Sequence, residues 1–287
     1  MTRPNKTDTV TARNDPVRLA HVGEPSGCRD NAPIISAEGV SYSYRKEHGV
    51  LRAVENLHWS AQRGKITTLI GPSGCGKSTL IRGICDVLRP DSGTLLVDIP
   101  TRPSVRDLAV AFQTPALLPW LTVEANAWLP FNLADEVPSD QDRQALDHLF
   151  ETTDLQQFRH SYPHELSGGM AMRAAVIRAF LPRPKLVLMD EPFASLDEFT
   201  RERMCGLLEQ IWMETHNTVV FVTHNLTEAV LLSDRISVLS ARPGRLIAEV
   251  DVPLPRPRAL ALQQTPEFSD LVAGLRQAVR NEMNHEG

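Results

Sequence analysis

The sequence predicts an α/β fold built around a parallel sheet that is buried on both faces. Three short apolar runs lie late in the chain, at residues 186–189, 219–222 and 236–239, and segments of helix length separate them. A fourth run, Ile66–Ile70, leads into a glycine-rich loop. Continuous apolar runs of this length are typical of parallel strands that are covered by helices on both faces.

Two strand-like segments precede this sheet, and a helical segment interrupts it. Residues 37–44 and 53–60 are bounded by turn residues, which favours strands. Between residues 114 and 164 the strand pattern fades. A helical pattern there places three apolar residues on one face, namely Leu146, Leu149 and Phe150.

Both ends of the chain are predicted to lie outside the main domain, which we place at residues 34–250. Residues 1–33 are polar with little periodicity, and we expect a disordered leader there. Residues 251–287 are expected to form a short extension that opens with prolines. It closes with an amphipathic helix through Leu271, Leu275 and Val279.

The composition restricts the classes of function. Hydrophobic residues make up 42% and charged residues 23%, which is ordinary for a soluble globular protein. The formal charge of −5 argues against a broad nucleic-acid surface, and we expect no nucleic-acid partner. No apolar run approaches the roughly 20 residues that cross a bilayer. The N-terminus lacks the apolar core of a secretory signal, so we expect a cytoplasmic protein.

The loop after Ile66–Ile70 fits the phosphate-binding P-loop pattern at every defined position. Its glycines let backbone N–H groups turn toward phosphate oxygens, and the N-terminus of the next helix adds favourable potential. We expect Lys77 to reach the β- and γ-phosphates and the Ser78 hydroxyl to bind Mg²⁺. The helix is expected to carry Leu80, Ile81, Ile84 and Leu88 on one side. The loop itself comprises Gly71, Pro72, Ser73, Gly74, Cys75, Gly76, Lys77 and Ser78, and Thr79 follows.

Two adjacent carboxylates, Asp190 and Glu191, end the apolar run at residues 186–189. Such a strand end lies on the same sheet edge as the P-loop. Because successive residues of a strand point to opposite faces, the two acids need different roles. We expect Asp190 to bind Mg²⁺ and Glu191 to act as the general base that polarises the attacking water. A pair of solvated acids at the start of a loop is the alternative.

A further segment resembles the signature motif of the ATP-binding cassette (ABC) ATPases. It reads Leu166, Ser167, Gly168, Gly169 and Met170. The family most often has glutamine at the fifth position, where Met170 stands, but the phosphate-facing residues are intact. The resemblance implies a P-loop NTPase core with an antiparallel β-subdomain and an inserted helical signature subdomain at about residues 114–180.

Other family motifs follow in the expected order. Gln113 resembles the Q-loop glutamine, which would sense Mg²⁺ beside the nucleotide, and Asp197 resembles the aspartate of the D-loop. His224, after a valine-rich strand, resembles the switch histidine that holds the γ-phosphate. Tyr44 lies where the family stacks an aromatic ring on adenine, with Tyr42 as the alternative.

The resemblance implies a head-to-tail dimer that encloses two ATP molecules, with Mg²⁺, at its interface. The signature motif of one subunit would face the P-loop of the other, so the partner is a second copy or a paralogous ATPase. Lys77, Glu191 and His224 are then the expected catalytic residues. Because Ser167 and the glycines after it open a helix, their N–H groups can present positive potential to the γ-phosphate.

The apolar residues 115–123 lie where ABC subunits contact a membrane partner. Leu118-Pro119-Trp120 resembles the importer subfamily that serves nitrate, sulfonates, taurine, bicarbonate and pyrimidine precursors. The resemblance implies a peripheral subunit on the cytoplasmic face of the bacterial inner membrane. Its partners would be integral-membrane permease subunits and, indirectly, an extracytoplasmic solute-binding protein; the solute would be a small anion or a sulfonate-type compound. Local packing is the alternative interpretation of this apolar segment.

Two other classes of function stay open at this point. One is a soluble ABC ATPase that acts on DNA or the ribosome, but such proteins usually carry two cassettes or an inserted coiled coil. The other is an inactive or regulatory cassette that only binds nucleotide. The presence of the residues expected to bind Mg²⁺ and to catalyse hydrolysis argues against this class; they are Lys77, Asp190, Glu191 and His224.

Overall fold

Two sheets and the helices around them form the part of the chain that the structure describes. The structure is a computed structural model. It describes residues 32–46, 49–100, 103–258 and 260–284. The predicted leader at residues 1–33 therefore lies outside the described residues except for its last two positions.

The smaller sheet has three antiparallel strands in the order β2-β1-β4. These are β1 (Ile35–Lys46), β2 (Gly49–Ala61) and β4 (Ser92–Val97). The two early strands are confirmed and extend beyond their predicted limits. This sheet is joined to the larger one by a buried hydrogen bond, in which Trp59 Nε1 donates to Ser237 Oγ at 3.0 Å. The antiparallel β-subdomain that the resemblance implied is therefore present.

The larger sheet has six strands: β3 (Ile66–Ile70), β5 (Leu108–Phe112), β6 (Leu186–Asp190), β7 (Thr218–Val222), β8 (Arg235–Leu239) and β9 (Leu246–Asp251). Their order in the sheet is β5-β6-β7-β3-β8-β9, and every neighbouring pair is parallel except β8 and β9. The four apolar runs are confirmed as β3, β6, β7 and β8. Three strands were not predicted, namely β4, β5 and β9. Strands β4 and β9 contain polar residues and lack a continuous apolar run, and β5 is rich in alanine, which disfavours strands.

Four helices cover the larger sheet or extend from it: α1 (Lys77–Ile84), α6 (Glu198–Thr215), α7 (Leu226–Leu232) and α8 (Pro266–Asn284). The prediction that α1 includes Leu88 is wrong, because Cys85 caps the helix and Asp86 has a φ of 56°. The amphipathic helix near the C-terminus is confirmed as α8, in which Leu275 is buried. None of the helices in the described ranges combines the length and the apolar character that a membrane span requires.

Four α-helices lie between β5 and β6 in the chain: α2 (Val123–Ala127), α3 (Leu129–Leu133), α4 (Asp140–Thr152) and α5 (Gly168–Phe180). Helix α4 begins with a capping box in which Ser139 and Asp142 bond each other's backbone N–H groups. Leu146 and Phe150 are buried on the predicted face of α4. The helical pattern is confirmed, whereas the domain limits stay predictions.

An ion pair anchors α4 to the larger sheet. Arg106, just before β5, donates to both carboxylate oxygens of Asp142, at 3.1 and 2.9 Å, and to the carbonyl of Pro182 at 3.2 Å. Burial alone would raise the pKa of Asp142. The hydrogen bonds from Arg106 and Ser139 outweigh burial and lower this pKa to about 2.

We expect Asp142→Asn to lower the free energy of unfolding by about 2 kcal/mol at pH 7, since lowering the pKa from 3.8 to about 2 stabilises the ionised carboxyl by that amount. This contribution is complete above the unfolded pKa and disappears as the pH falls through the folded pKa. Urea denaturation between pH 7 and pH 2 should therefore show the difference from the wild type closing toward pH 2.

The control is Asp140→Asn, because Asp140 is fully exposed in the same helix. This variant should stay within about 0.5 kcal/mol of the wild type. A stability gap for Asp142→Asn that is the same at every pH would contradict the expectation.

Candidate functional site

The predicted reactive groups meet at one edge of the larger sheet. The P-loop follows β3, Asp190 ends β6 with Glu191 directly after it, and His224 follows β7 by two residues. Val222 of β7 is the register partner of both Leu69 in β3 and Asp190 in β6. Because these strands are parallel neighbours, their carboxyl ends open at the same place.

The P-loop is packed too closely for a side chain at Gly76. This residue has a φ of 103°, and a Cβ there would lie 2.6 Å from Val54 Cγ2. The ammonium of Lys77 is buried and donates to the carbonyls of Gly71 at 2.8 Å and Pro72 at 3.1 Å. Helix α1 has no side-chain cap and no acid in its first turn, so its N-terminal N–H groups are available to an anion.

The acidic pair contacts the P-loop directly. The Ser78 hydroxyl donates to Asp190 Oδ1 at 3.1 Å. Glu191 lies between two partners, with Oε1 3.9 Å from Lys77 Nζ and Oε2 3.0 Å from His224 Nδ1. Burial raises the pKa of Asp190, the neighbouring Glu191 charge adds to this, and the bond from Ser78 opposes it.

Both carboxylates face the P-loop, so the expectation that they point to opposite faces is wrong. Side chains alternate only while the backbone stays extended, and β6 ends at Asp190. Glu191 has a φ of 48°, in the left-handed region, and its N–H donates to the carbonyl of Val222 at 2.9 Å. This turn brings the second carboxylate round to Lys77. The alternative of two solvated acids does not describe this arrangement.

The two tyrosines of β1 have different surroundings. Tyr44 is half-buried, and its hydroxyl lies 3.1 Å from Thr79 Oγ1 beside the P-loop. Tyr42 is 1% exposed and packs in the core, and burial raises the pKa of its hydroxyl. The geometry therefore favours Tyr44 over Tyr42 as the ring near the P-loop.

A cavity of about 150 Å³ lies at the P-loop, and its lining includes Lys77, Ser78 and Glu191. Cys75 is not among the described lining residues; its thiol is buried, which raises its pKa and fits a packing role. Gln113 is exposed and directly follows Phe112, the register partner of Asp190 in β5. The lining consists of Tyr44, Leu51, Ala53, Gly74, Gly76, Lys77, Ser78, Thr79, Glu191 and Arg242.

The signature residues lie elsewhere. Ser167 caps α5 by accepting the N–H of Met170 at 3.3 Å, and Asp197 caps α6 by accepting the N–H of Thr200 at 3.0 Å. The signature and the D-loop line a second cavity of about 620 Å³, and no signature residue lines the P-loop cavity in the described part of the chain. The fold of one chain therefore does not bring the signature motif to its own P-loop. The signature and D-loop residues that line the second cavity are Ser167, Gly168, Gly169, Ser195, Leu196 and Asp197.

A buried carboxylate that the sequence reasoning missed connects the His224 loop to the D-loop. Thr223 Oγ1 donates to Glu228 Oε2 at 2.6 Å, and Arg201 Nε lies 3.1 Å from Glu228 Oε1. Arg201 also donates to the carbonyl of Leu196 at 2.7 Å. Burial raises the pKa of Glu228, while Thr223 and Arg201 oppose this shift. The one feature of the sequence that could have indicated this role is that Glu228 is a single acid in the largely apolar helix α7.

Residues 115–122, which we call the Trp120 loop, are fixed by hydrogen bonds. The buried amide of Asn126 accepts the N–H of Leu118 at 2.7 Å and donates to three loop carbonyls. Arg178 of α5 donates to two further loop carbonyls, each at 2.7 Å. The Trp120 side chain is nevertheless 69% exposed, so local packing does not account for it.

Comparison with known proteins identifies the family. The family described as "ABC transporter" matches residues 54–194. An aliphatic sulfonates import ATP-binding protein, SsuB, of Bacillus cereus is 39% identical over 227 residues, which is 78% of this chain and 88% of that protein. This chain belongs to the ABC transporter ATP-binding family. The SsuB protein of Bacillus anthracis is 38% identical to this ABC ATPase over 226 residues, 78% of this chain and 88% of that protein.

Solved ABC cassettes share the fold of this ABC ATPase. The dimeric structure of MJ0796, described as a bacterial ABC transporter cassette, matches with a TM-score of 0.66 and 27% identity, covering 76% of this chain and 98% of that one. The cbiO1 protein of Clostridium perfringens, part of an ABC transporter complex, matches with a TM-score of 0.66 and 26% identity, covering 77% and 89%. A post-hydrolysis MJ0796 structure bound to ADP and Pi matches as well. The predicted α/β cassette fold and the ATPase class are confirmed.

We expect Glu228→Ala to lower the free energy of unfolding by about 3 kcal/mol, because it removes a buried carboxylate that holds both Thr223 and the three-quarters buried Arg201. Urea denaturation would measure this loss. The control is Glu151→Ala, which removes an exposed acid at the end of α4 and should cost less than about 0.5 kcal/mol. Equal losses in the two variants would argue against a buried anchor.

Proposed function

We propose that this ABC ATPase is the motor subunit of a bacterial importer that uses ATP binding and hydrolysis to drive solute uptake through separate permease subunits. The observation that carries the motor assignment is the position of the Glu191 carboxylate, held between Lys77 and His224 at the mouth of the P-loop. The importer assignment is supported by the likeness to sulfonate import proteins. The same likeness supports a sulfonate-type compound or a related small anion as the solute.

In this proposal the P-loop holds the triphosphate and Tyr44 stacks on the adenine. The N-terminus of α1 supplies uncapped N–H groups, and Lys77 contacts the β- and γ-phosphates once its ammonium turns from the loop carbonyls. The backbone of residues 71–79 forms the phosphate contacts, so the buried Cys75 thiol takes no part. Thr79 fixes the hydroxyl of Tyr44 beside this loop.

The oxygen ligands at the site fit a magnesium ion. Mg²⁺ in such sites is held by one or two carboxylates together with substrate phosphates. The Ser78 hydroxyl and Asp190 lie 3.1 Å apart at the sheet edge and would hold the ion, with Gln113 beside them after β5. Among the described residues no cluster of three or more acidic, histidine or cysteine side chains forms a dedicated metal cage. When bound, the ion would neutralise charge on the β- and γ-phosphates.

Hydrolysis is assigned to Glu191 and His224. The Glu191 carboxylate accepts a proton from the attacking water as the water oxygen bonds to the γ-phosphorus, the bond to the β–γ bridging oxygen breaks and ADP leaves. His224 donates a hydrogen bond to the γ-phosphate. Thr223 and Glu228 fix the loop that carries His224. Lys77 balances the negative charge that develops on the phosphate oxygens.

A second subunit would complete the site. Ser167, Gly168 and Gly169 begin α5, and Met170 follows, so this helix end can bind the γ-phosphate held by a partner's P-loop. The separation of the two motifs within one chain and the likeness to dimeric cassettes support a head-to-tail dimer. The partner is a second copy or a paralogous ATPase, and Asp197 would lie at the interface.

The Trp120 loop is the proposed contact with the permease. An exposed tryptophan on a fixed loop is a typical anchor of a protein interface. In this arrangement the ATPase is a peripheral protein on the cytoplasmic face of the inner membrane. An extracytoplasmic solute-binding protein would deliver the solute to the permease, and no nucleic acid takes part.

We expect Glu191→Gln to reduce the rate of ATP hydrolysis by at least about 10²-fold, because the amide cannot accept a proton from water. ATP affinity, measured by isothermal titration, should stay within about twofold, since one general base contributes to the rate and little to binding. Glu151→Gln serves as the control and should hydrolyse ATP at the wild-type rate. Unchanged turnover in Glu191→Gln would remove Glu191 from its role.

We expect Trp120→Ala to lose most of the permease that wild-type protein captures from detergent-solubilised native membranes, as judged by mass spectrometry. Truncation of an interface anchor costs at least about 2 kcal/mol, or about 30-fold in affinity. The ATPase rate of the isolated protein should not change. Val87→Ala, which alters a side chain that is 74% exposed outside the loop, should capture permease like the wild type. Equal capture by all three proteins would exclude this surface.

A further inference from the structure

The loop between β8 and β9, residues 240–245, lies against the P-loop. The N–H of Gly244 donates to the carbonyl of Ala53 at 2.9 Å, and the carbonyl of Gly244 accepts the N–H of Glu55 at 3.1 Å. A Cβ on Gly244 would collide with the carbonyl oxygen of Cys75. The backbone of this loop is therefore fixed between β2 and the phosphate-binding loop.

This loop carries Arg242 over the P-loop. The Arg242 Nε donates to the carbonyl of Gly74 at 2.9 Å, and a Cβ on Gly74 would collide with Arg242 Nη2. The side chain lines the same cavity as Lys77 and Ser78. The guanidinium thus uses Nε as a donor to the P-loop, and among the described residues its two terminal nitrogens have no hydrogen-bond partner.

The charge of Arg242 is not balanced by a carboxylate among the described residues, whereas Arg245 of the same loop pairs with Glu55. Glu191, the carboxylate among the described residues that line the cavity, is bonded to His224. A planar guanidinium with free terminal nitrogens matches the oxygens of a phosphate. Two cations, Lys77 and Arg242, would then balance the charge that a triphosphate retains after binding one Mg²⁺.

We propose that Arg242 makes a second cationic contact to the triphosphate of the bound nucleotide. Arg242 lies 168 residues beyond Gly74 in the chain, yet its Nε bonds the carbonyl of that P-loop residue. The inference rests on the proposed ATP site and extends it to a residue outside the family motifs. Nε keeps its bond to Gly74 while the terminal nitrogens donate to phosphate oxygens. Arg242 therefore adds affinity for the polyphosphate and none for the nucleoside.

The test compares Arg242→Ala with Arg245→Ala in the full-length protein. Dissociation constants are measured for AMP-PNP, a non-hydrolysable ATP analogue, and for adenosine by competition at up to millimolar concentration. Arg242→Ala should weaken AMP-PNP about tenfold, as expected for the loss of a charge-assisted hydrogen bond at an exposed site, and leave adenosine unchanged. Arg242→Lys should fall between it and the wild type, because an ammonium lacks the planar fork. Arg245→Ala should bind both ligands within twofold of the wild type.

Lys77→Ala separates failure of this inference from failure of the proposed site. If Lys77→Ala loses AMP-PNP while Arg242→Ala binds it normally, the inference about Arg242 is wrong and the ATP site stands. If both variants bind AMP-PNP normally, the proposed site is itself wrong. Equal weakening of AMP-PNP and adenosine in Arg242→Ala would place the guanidinium at the nucleoside and overturn the proposal. Circular dichroism of each variant checks that the fold is retained.

Discussion

The parallel register of β3, β7 and β6 is the constraint on which the rest of the site depends. Val222 is paired with Leu69 on one side and with Asp190 on the other. The loops that follow β3, β6 and β7 therefore begin side by side at one edge of the sheet, although they are far apart in sequence. A shift of β6 by one residue would invert its side chains relative to the sheet and separate Asp190 from Ser78. The chemistry of the site is therefore set by strand pairing before any reactive side chain takes its position.

Much of the site could be predicted because its parts are short and contiguous. The P-loop, the acidic pair and the signature each occupy a few consecutive residues with a required order of residue types. Arg242 and Glu228 escaped prediction for the opposite reason. Each acts through partners far away in the chain or on another element, and such contacts have no fixed spacing. The only general signal for Arg242 was its place after the buried strand β8, at the edge where ligands bind.

The same distinction applies to the fold. Buried strands with continuous apolar runs were predictable, whereas β4 and β9 depend on pairing with a neighbour and show no such run. Backbone details were also beyond the sequence pattern. The left-handed turn at Glu191 follows from tertiary contacts, since its N–H bonds to Val222 of the adjacent strand, and this turn decides where the second carboxylate points. Residue type alone does not predict that conformation, which glutamate rarely adopts.

The hydrogen bonds that hold the Trp120 loop have a mechanical consequence. Asn126 and Arg178 order this loop within the folded chain, so association with a partner pays no further entropy for fixing its backbone. Arg178 belongs to α5, the helix that also begins at the signature motif. Because Arg178 bonds two carbonyls of the loop, a displacement of α5 would displace the loop as well. Helix α5 therefore connects the two surfaces directly, because it begins at the signature residues and is bonded near its other end to the Trp120 loop.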